Sequence, residues 1–94
     1  MIDLIKLEFL YRKYRNELRN DGKSYRFSRL KTFISFCAKR GCNYLSKDLI
    51  DEWCIKHPTE SINSANHRIA ELRNFIADSN KQRYTNIPLP LLLP

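Results

Sequence analysis

Glycine is scarce: two residues in 94, beside four prolines, one tryptophan and one methionine. No Gly-rich phosphate loop occurs, nor any G-x-S-x-G or H-E-x-x-H string, so the common nucleotide-binding, serine-hydrolase and zinc-peptidase signatures are missing. No segment alternates apolar and polar residues as a half-buried strand must, which argues against a sheet-based fold. Nothing approaches the roughly 18 to 20 consecutive apolar residues of a membrane span. Charges interrupt the opening MIDLIKLEF, which therefore does not read as a secretory leader. The three cysteines, Cys37, Cys42 and Cys54, are an odd number, and the expectation is a reducing, cytoplasmic setting.

What is present describes one small globular domain. Hydrophobic residues make up 43% and aromatics 12% of the chain; at this length about 60 to 65% of the unfolded surface is buried on folding. The formal charge is +7, from 17 Lys and Arg against 10 Asp and Glu. Residues 1 to 40 hold 11 basic and 4 acidic side chains, whereas residues 41 to 94 hold 6 of each. All the excess lies in the first two-fifths, the ingredients of a basic patch suited to a polyanion.

Apolar periodicity predicts four helices. Leu4, Leu7, Tyr11, Tyr14 and Leu18 recur at steps of three and four, a helix over 2–19 closed by Asn20-Asp21-Gly22. Ser24 is placed to cap a second helix with inward residues Phe27, Leu30, Phe33, Ile34 and Cys37, ending at Gly41. Ser46 caps a third, SKDLIDEWCIK, packed through Leu49, Ile50 and Trp53 and stopped before Pro58. A fourth starts near Ser61, turns Ile62, Ala65, Ile69, Leu72 and Ile76 inward, and fades at Asn80. The fold class is all-α, a compact four-helix bundle with short connections. The end, TNIPLPLLLP, is apolar and spaced by prolines, so it should be extended. It reads either as a strap packed back on the helices or as a linker toward another domain.

Candidate chemistry is sparse. Cys37, Cys42, Cys54 and His57 are ligand types for zinc, but the tight C-x2-C pair of strong zinc motifs is missing, and Cys37 and Cys54 fit better as small buried hydrophobes. No catalytic constellation, metal or cofactor is expected. The cations are more informative. Arg12, Arg15 and Arg19 share one side of helix one, and GKSYRFSRL then places Lys23, Arg26 and Arg29 around the start of helix two, where Ser24, Tyr25 and free backbone N–H groups favour phosphate. On helix four the residues opposite the core are Asn63, His67, Ala70 and Asn74. Lys or Glu would serve solubility and helicity better than asparagine does. Short amides and imidazole are the groups that exchange hydrogen bonds with base edges in a major groove, and alanine permits close approach.

LEFLYRKYRNELRNDGKSYRFSRLKTFISFC, LSKDLIDEW, SANHRIAELRNFIADSN and the exit IPLPLLLP, in that order and spacing, resemble the amino-terminal, SAM-like core-binding domain of tyrosine recombinases of the phage-integrase type. The most specific stretch is helix four, with Arg68-Ile69 followed by Leu72-Arg73-x-Phe75; next is Leu-x-x-Phe-x-x-Phe-Cys from Leu30 to Cys37. The resemblance implies a DNA-binding domain over 1–84 and an extended linker over 85–94 toward a separate catalytic domain of the same full-length chain. It further implies that helices two and four grip double-stranded DNA, that oligomers form on DNA, and that this chain cuts nothing. The outward positions of helix four are less basic here than in such domains, so phosphate contacts carry most of the expectation. The expected DNA-binding set is Lys23, Ser24, Tyr25, Arg26, Arg29 and Arg73 on phosphates, and Asn63, Ser64 and His67 at groove edges, with Arg68 bridging or supporting the helix. The alternative is a small basic helical protein-interaction module, docking an acidic partner through the Leu91 to Leu93 tail and a basic face.

Overall fold

A computed structural model describes residues 5–20 and 28–94. It holds four helices, α1 Leu7–Asn20, α2 Ser28–Lys39, α3 Lys47–Trp53 and α4 Ile62–Lys81, in an all-α bundle. Among the described residues no helix is long and apolar enough to cross a membrane. The sequence expectations for Leu4, Ser24 and Phe27 fall outside the described residues.

Each helix buries most of the stripe its periodicity marks out, while Tyr14, Leu18, Ile34, Leu49 and Trp53 are half-buried. Leu7, Leu10 and Tyr11 of α1, Leu30, Phe33 and Cys37 of α2, Ile50 of α3, and Ala65, Ile69, Leu72, Phe75 and Ile76 of α4 are all buried. Aromatic edges join the layers: Tyr14 lies 5.4 Å from Phe75, and Trp53 lies 5.6 Å from both Phe33 and Phe36, measured between ring centroids. The start of α1 is tied to the α2–α3 connection by the Leu7 N–H, which donates to the Asn43 carbonyl at 2.6 Å.

The helix ends follow local chemistry, with four departures from expectation. α1 begins at Leu7 instead of near residue 2, because Lys6 is drawn into an isolated antiparallel bridge with Tyr44. α3 stops at Trp53, three residues short of Lys56: the Trp53 carbonyl accepts from the Arg68 guanidinium, and the His57 N–H that would close that rung donates to the Glu60 carboxylate at 3.2 Å instead. Ser46 stands at the N-cap of α3 with extended backbone, yet its side chain makes no cap bond, whereas Ser61 caps α4 by accepting from the Ser64 N–H at 3.0 Å. Ile62, expected inward, is 49% exposed, since α4 begins one turn before it reaches the core.

α2 and α4 close with the same device. At the end of α2 the Cys42 N–H reaches the Cys37 carbonyl and the Gly41 N–H the Ala38 carbonyl; at the end of α4 the Tyr84 N–H reaches Ser79 and the Arg83 N–H reaches Asn80, all at 3.0 Å. Both are Schellman caps, whose penultimate residue takes positive φ. Gly41 does so at 70° without cost; Arg83 does so at 64°, a conformation that strains any residue with a Cβ.

Beyond Arg83 the chain is extended, as expected, and runs back along α4 as a strap. Asn80 accepts from the Thr85 hydroxyl at 2.6 Å and the Ile87 N–H at 3.1 Å, and donates to the Ile87 carbonyl at 2.8 Å. Arg73 donates to the Pro90 carbonyl at 3.0 Å. Asn66 donates to the Leu93 carbonyl at 3.0 Å and accepts from its N–H at 2.7 Å. Thr85 and Pro90 are buried, and Ile87 and Leu89 pack against the core.

Candidate nucleic-acid interface

The outward side of α4 forms because its opposite side is saturated with core residues, so a 20-residue helix has one face left for solvent. Asn63, Ser64, His67 and Asn74 are exposed there and Ala70 is half-buried. Among the described residues the side chains of Asn63, His67 and Asn74 have no protein hydrogen-bond partner. Among the described residues they can therefore bind something else without first breaking a side-chain hydrogen bond.

One edge of this face is set by α2. The Glu71 carboxylate accepts from the Leu30 N–H at 3.2 Å through one oxygen, and its other oxygen lies 3.6 Å from the Arg29 guanidinium. This contact seats the start of α2 beside the middle of α4, so Arg29 and the Asn63-His67-Asn74 stripe adjoin. Arg29 is half exposed at 48% and its ion pair is long, a weak bond by the measure of surface pairs. Lys23, Ser24, Tyr25 and Arg26 lie outside the described residues.

The other edge is the strap. Its leucines do not cover the stripe: Leu91 is 81% and Leu92 50% exposed. It does, however, occupy Arg73, whose guanidinium binds the Pro90 carbonyl.

Arg68 is placed inside the protein. Its side chain is 11% exposed; Nε and Nη2 donate to the two Glu60 oxygens at 2.7 Å each, Nη1 donates to the Trp53 carbonyl, and Nη2 also reaches the Ile55 carbonyl at 3.2 Å. The guanidinium lies 5.1 Å from the centre of the Trp53 ring. Of the two roles expected for Arg68, supporting the helix is the one this geometry serves. The Arg68 hydrogen bonds, helped by the His57 N–H, hold the Glu60 carboxyl down at about 2, against burial that opposes them.

No protein-family model, no curated protein and no solved structure matches this chain.

Among the described residues no group of His, Cys, Asp and Glu is arranged to hold a metal ion. Cys37 is fully buried, and burial above all, with Cys42 nearby, pushes its thiol up to about 12; Cys54 is the half-buried C-cap of α3. Sequence reasoning missed Glu71, Glu60, Asn66 and Asn80. The heptad spacing of Asn66, Arg73 and Asn80 was a usable signal for the strap, whereas the Glu71 contact with α2 spans 41 residues and left no local trace.

Proposed function

We propose that this chain is a double-stranded DNA-binding module of the amino-terminal core-binding type found in site-specific tyrosine recombinases. In this reading it grips the duplex while a separate catalytic domain of the full-length chain cuts and rejoins it. The observation that carries the proposal is the exposed, internally unpartnered stripe of Asn63, His67 and Asn74 lying beside Arg29. Amides and imidazole are base-edge readers, and cations at a helix start are phosphate readers. Arg29 meets a phosphate, joined by Lys23, Ser24, Tyr25 and Arg26 from the preceding residues. Asn63, Ser64 and His67 face the groove. Arg68 positions α4 from behind, and Arg73, with one nitrogen tied to the Pro90 carbonyl, turns its remaining N–H groups to phosphate.

Titration of a fluorescent duplex against salt tests the proposal. With four to six phosphates neutralised, log affinity falls against log salt with a slope of about −4 to −5; a flat line would refute it. The chain alone leaves the duplex uncut and forms no covalent tyrosyl adduct.

Glu71 supplies a second check. In the free protein it partly offsets Arg29, and on DNA its charge faces phosphate. Glu71→Gln keeps an acceptor for the Leu30 N–H but removes the charge, so duplex affinity at 0.1 M salt should rise about three- to tenfold, the effect of one charge several ångströms from a phosphate. Fluorescence anisotropy measures it; weaker binding by the variant would move Glu71 away from the interface.

A further inference from the structure

The strap is held by a track with matched periods. Asn66, Arg73 and Asn80 are seven residues apart on α4, and they engage main-chain atoms of Leu93, Pro90 and Ile87, three residues apart on the strap. Seven residues of α-helix rise about 10.5 Å and three of a polyproline-type strand about 9 Å. The two ladders therefore stay in step over three rungs, running antiparallel. Because the rungs read backbone, with buried Pro90 and Thr85 adding contact, the track accepts any strand of this sequence, including another molecule's.

The hinge feeding the strap is strained. Arg83 holds φ at 64° inside a cap whose position favours glycine. Opening the hinge lets Arg83 return to negative φ. Short hinges under strain favour exchange of an element between copies. Leu91 and Leu92, left 81% and 50% exposed when the strap is closed on its own α4, gain cover when two molecules lie together.

From these observations, which do not depend on DNA binding, we propose that two copies of this chain trade their 84–94 straps, each docking on the Asn66-Arg73-Asn80 track of the other. Every contact of the closed strap is remade between molecules, so the equilibrium is set by hinge strain and concentration.

The test pairs light scattering with a cross-link. The chain at increasing concentration should show a dimer. Arg83→Gly, which removes the strain that exchange relieves in two hinges, should weaken that dimer on the order of tenfold or more while leaving helicity unchanged. In Asn66→Cys/Leu93→Cys with Cys42 and Cys54 replaced by Ser, mild oxidation should join two molecules, seen as a covalent dimer on a non-reducing gel. A chain that stays monomeric near 1 mM overturns the proposal. So does a dimer that Arg83→Gly leaves unchanged, or one whose introduced cysteines close only within each molecule.

Discussion

Arg68→Ala is expected to cost about 3 kcal/mol of folding stability, the low end for an ion pair stripped of one partner, because both side chains, 11% and 14% exposed, keep some contact with water. The side chain closes a knot that joins three segments: the end of α3 through the Trp53 carbonyl, the connection through Ile55 and Glu60, and α4 itself. Alanine leaves the Trp53 and Ile55 carbonyls to water, leaves the Glu60 carboxylate only the His57 N–H at 3.2 Å, and removes the cation over Trp53. For a domain this size the melting temperature should fall by about 15 °C or more. Lysine keeps the charge but not the two-pronged geometry, so Arg68→Lys should fall between. Thermal unfolding followed by circular dichroism measures both. A loss of DNA affinity with unchanged stability would instead turn Arg68 outward to the ligand.

The same pair sets a pH signature. The folded Glu60 carboxyl sits at about 2, below its ordinary 4.5, because the Arg68 bonds stabilise its charged form. A depressed carboxyl contributes stability that is fully present above the unfolded value and lost as pH falls toward the folded one. The contribution of this pair should therefore drain away between about pH 4.5 and 2. In Arg68→Ala that part of the slope should flatten, because Glu60 then titrates nearly alike in both states.

The helices were legible because their information is local. Leu7, Tyr11, Leu30, Phe33, Cys37, Ile69, Leu72 and Ile76 repeat at helical steps and are all buried; periodicity needs no knowledge of the partner. The same holds for the outward Asn63, His67 and Asn74, which follow from the inward set by rotation. Arg73 looks like a surface cation by composition and Arg68 left bridging and support of the helix both open; only the packed structure shows Arg68 turned into Glu60 and Arg73 onto Pro90. The Pro-spaced tail announced an extended chain, but whether it leaves or returns depends on Asn66 and Asn80, polar residues whose local reading is neutral. Arg83 was invisible for the opposite reason: its positive φ is imposed by the cap of α4 and runs against its own preference.

Reversing Arg26 and Arg29 together to Glu is expected to lower duplex affinity at 0.1 M salt by about a thousandfold. Each phosphate contact releases close to one counterion, worth about tenfold at that salt. Two lost contacts account for roughly a hundredfold, and two added carboxylates facing the backbone extend it through repulsion. Arg26 enters on the strength of the sequence, whereas Arg29 adjoins the α4 stripe through Glu71. Because Arg29→Glu also sets a carboxylate against Glu71, the neutral pair Arg26→Gln/Arg29→Gln is the cleaner comparison, expected near a hundredfold with a salt slope shallower by about 2. Circular dichroism separates lost contacts from lost structure, since Arg29 is exposed and stands outside the core. Affinity and slope unchanged in the glutamine pair would show that the cations of the first two-fifths of the chain serve another face, and the DNA reading of α4 would fall with them.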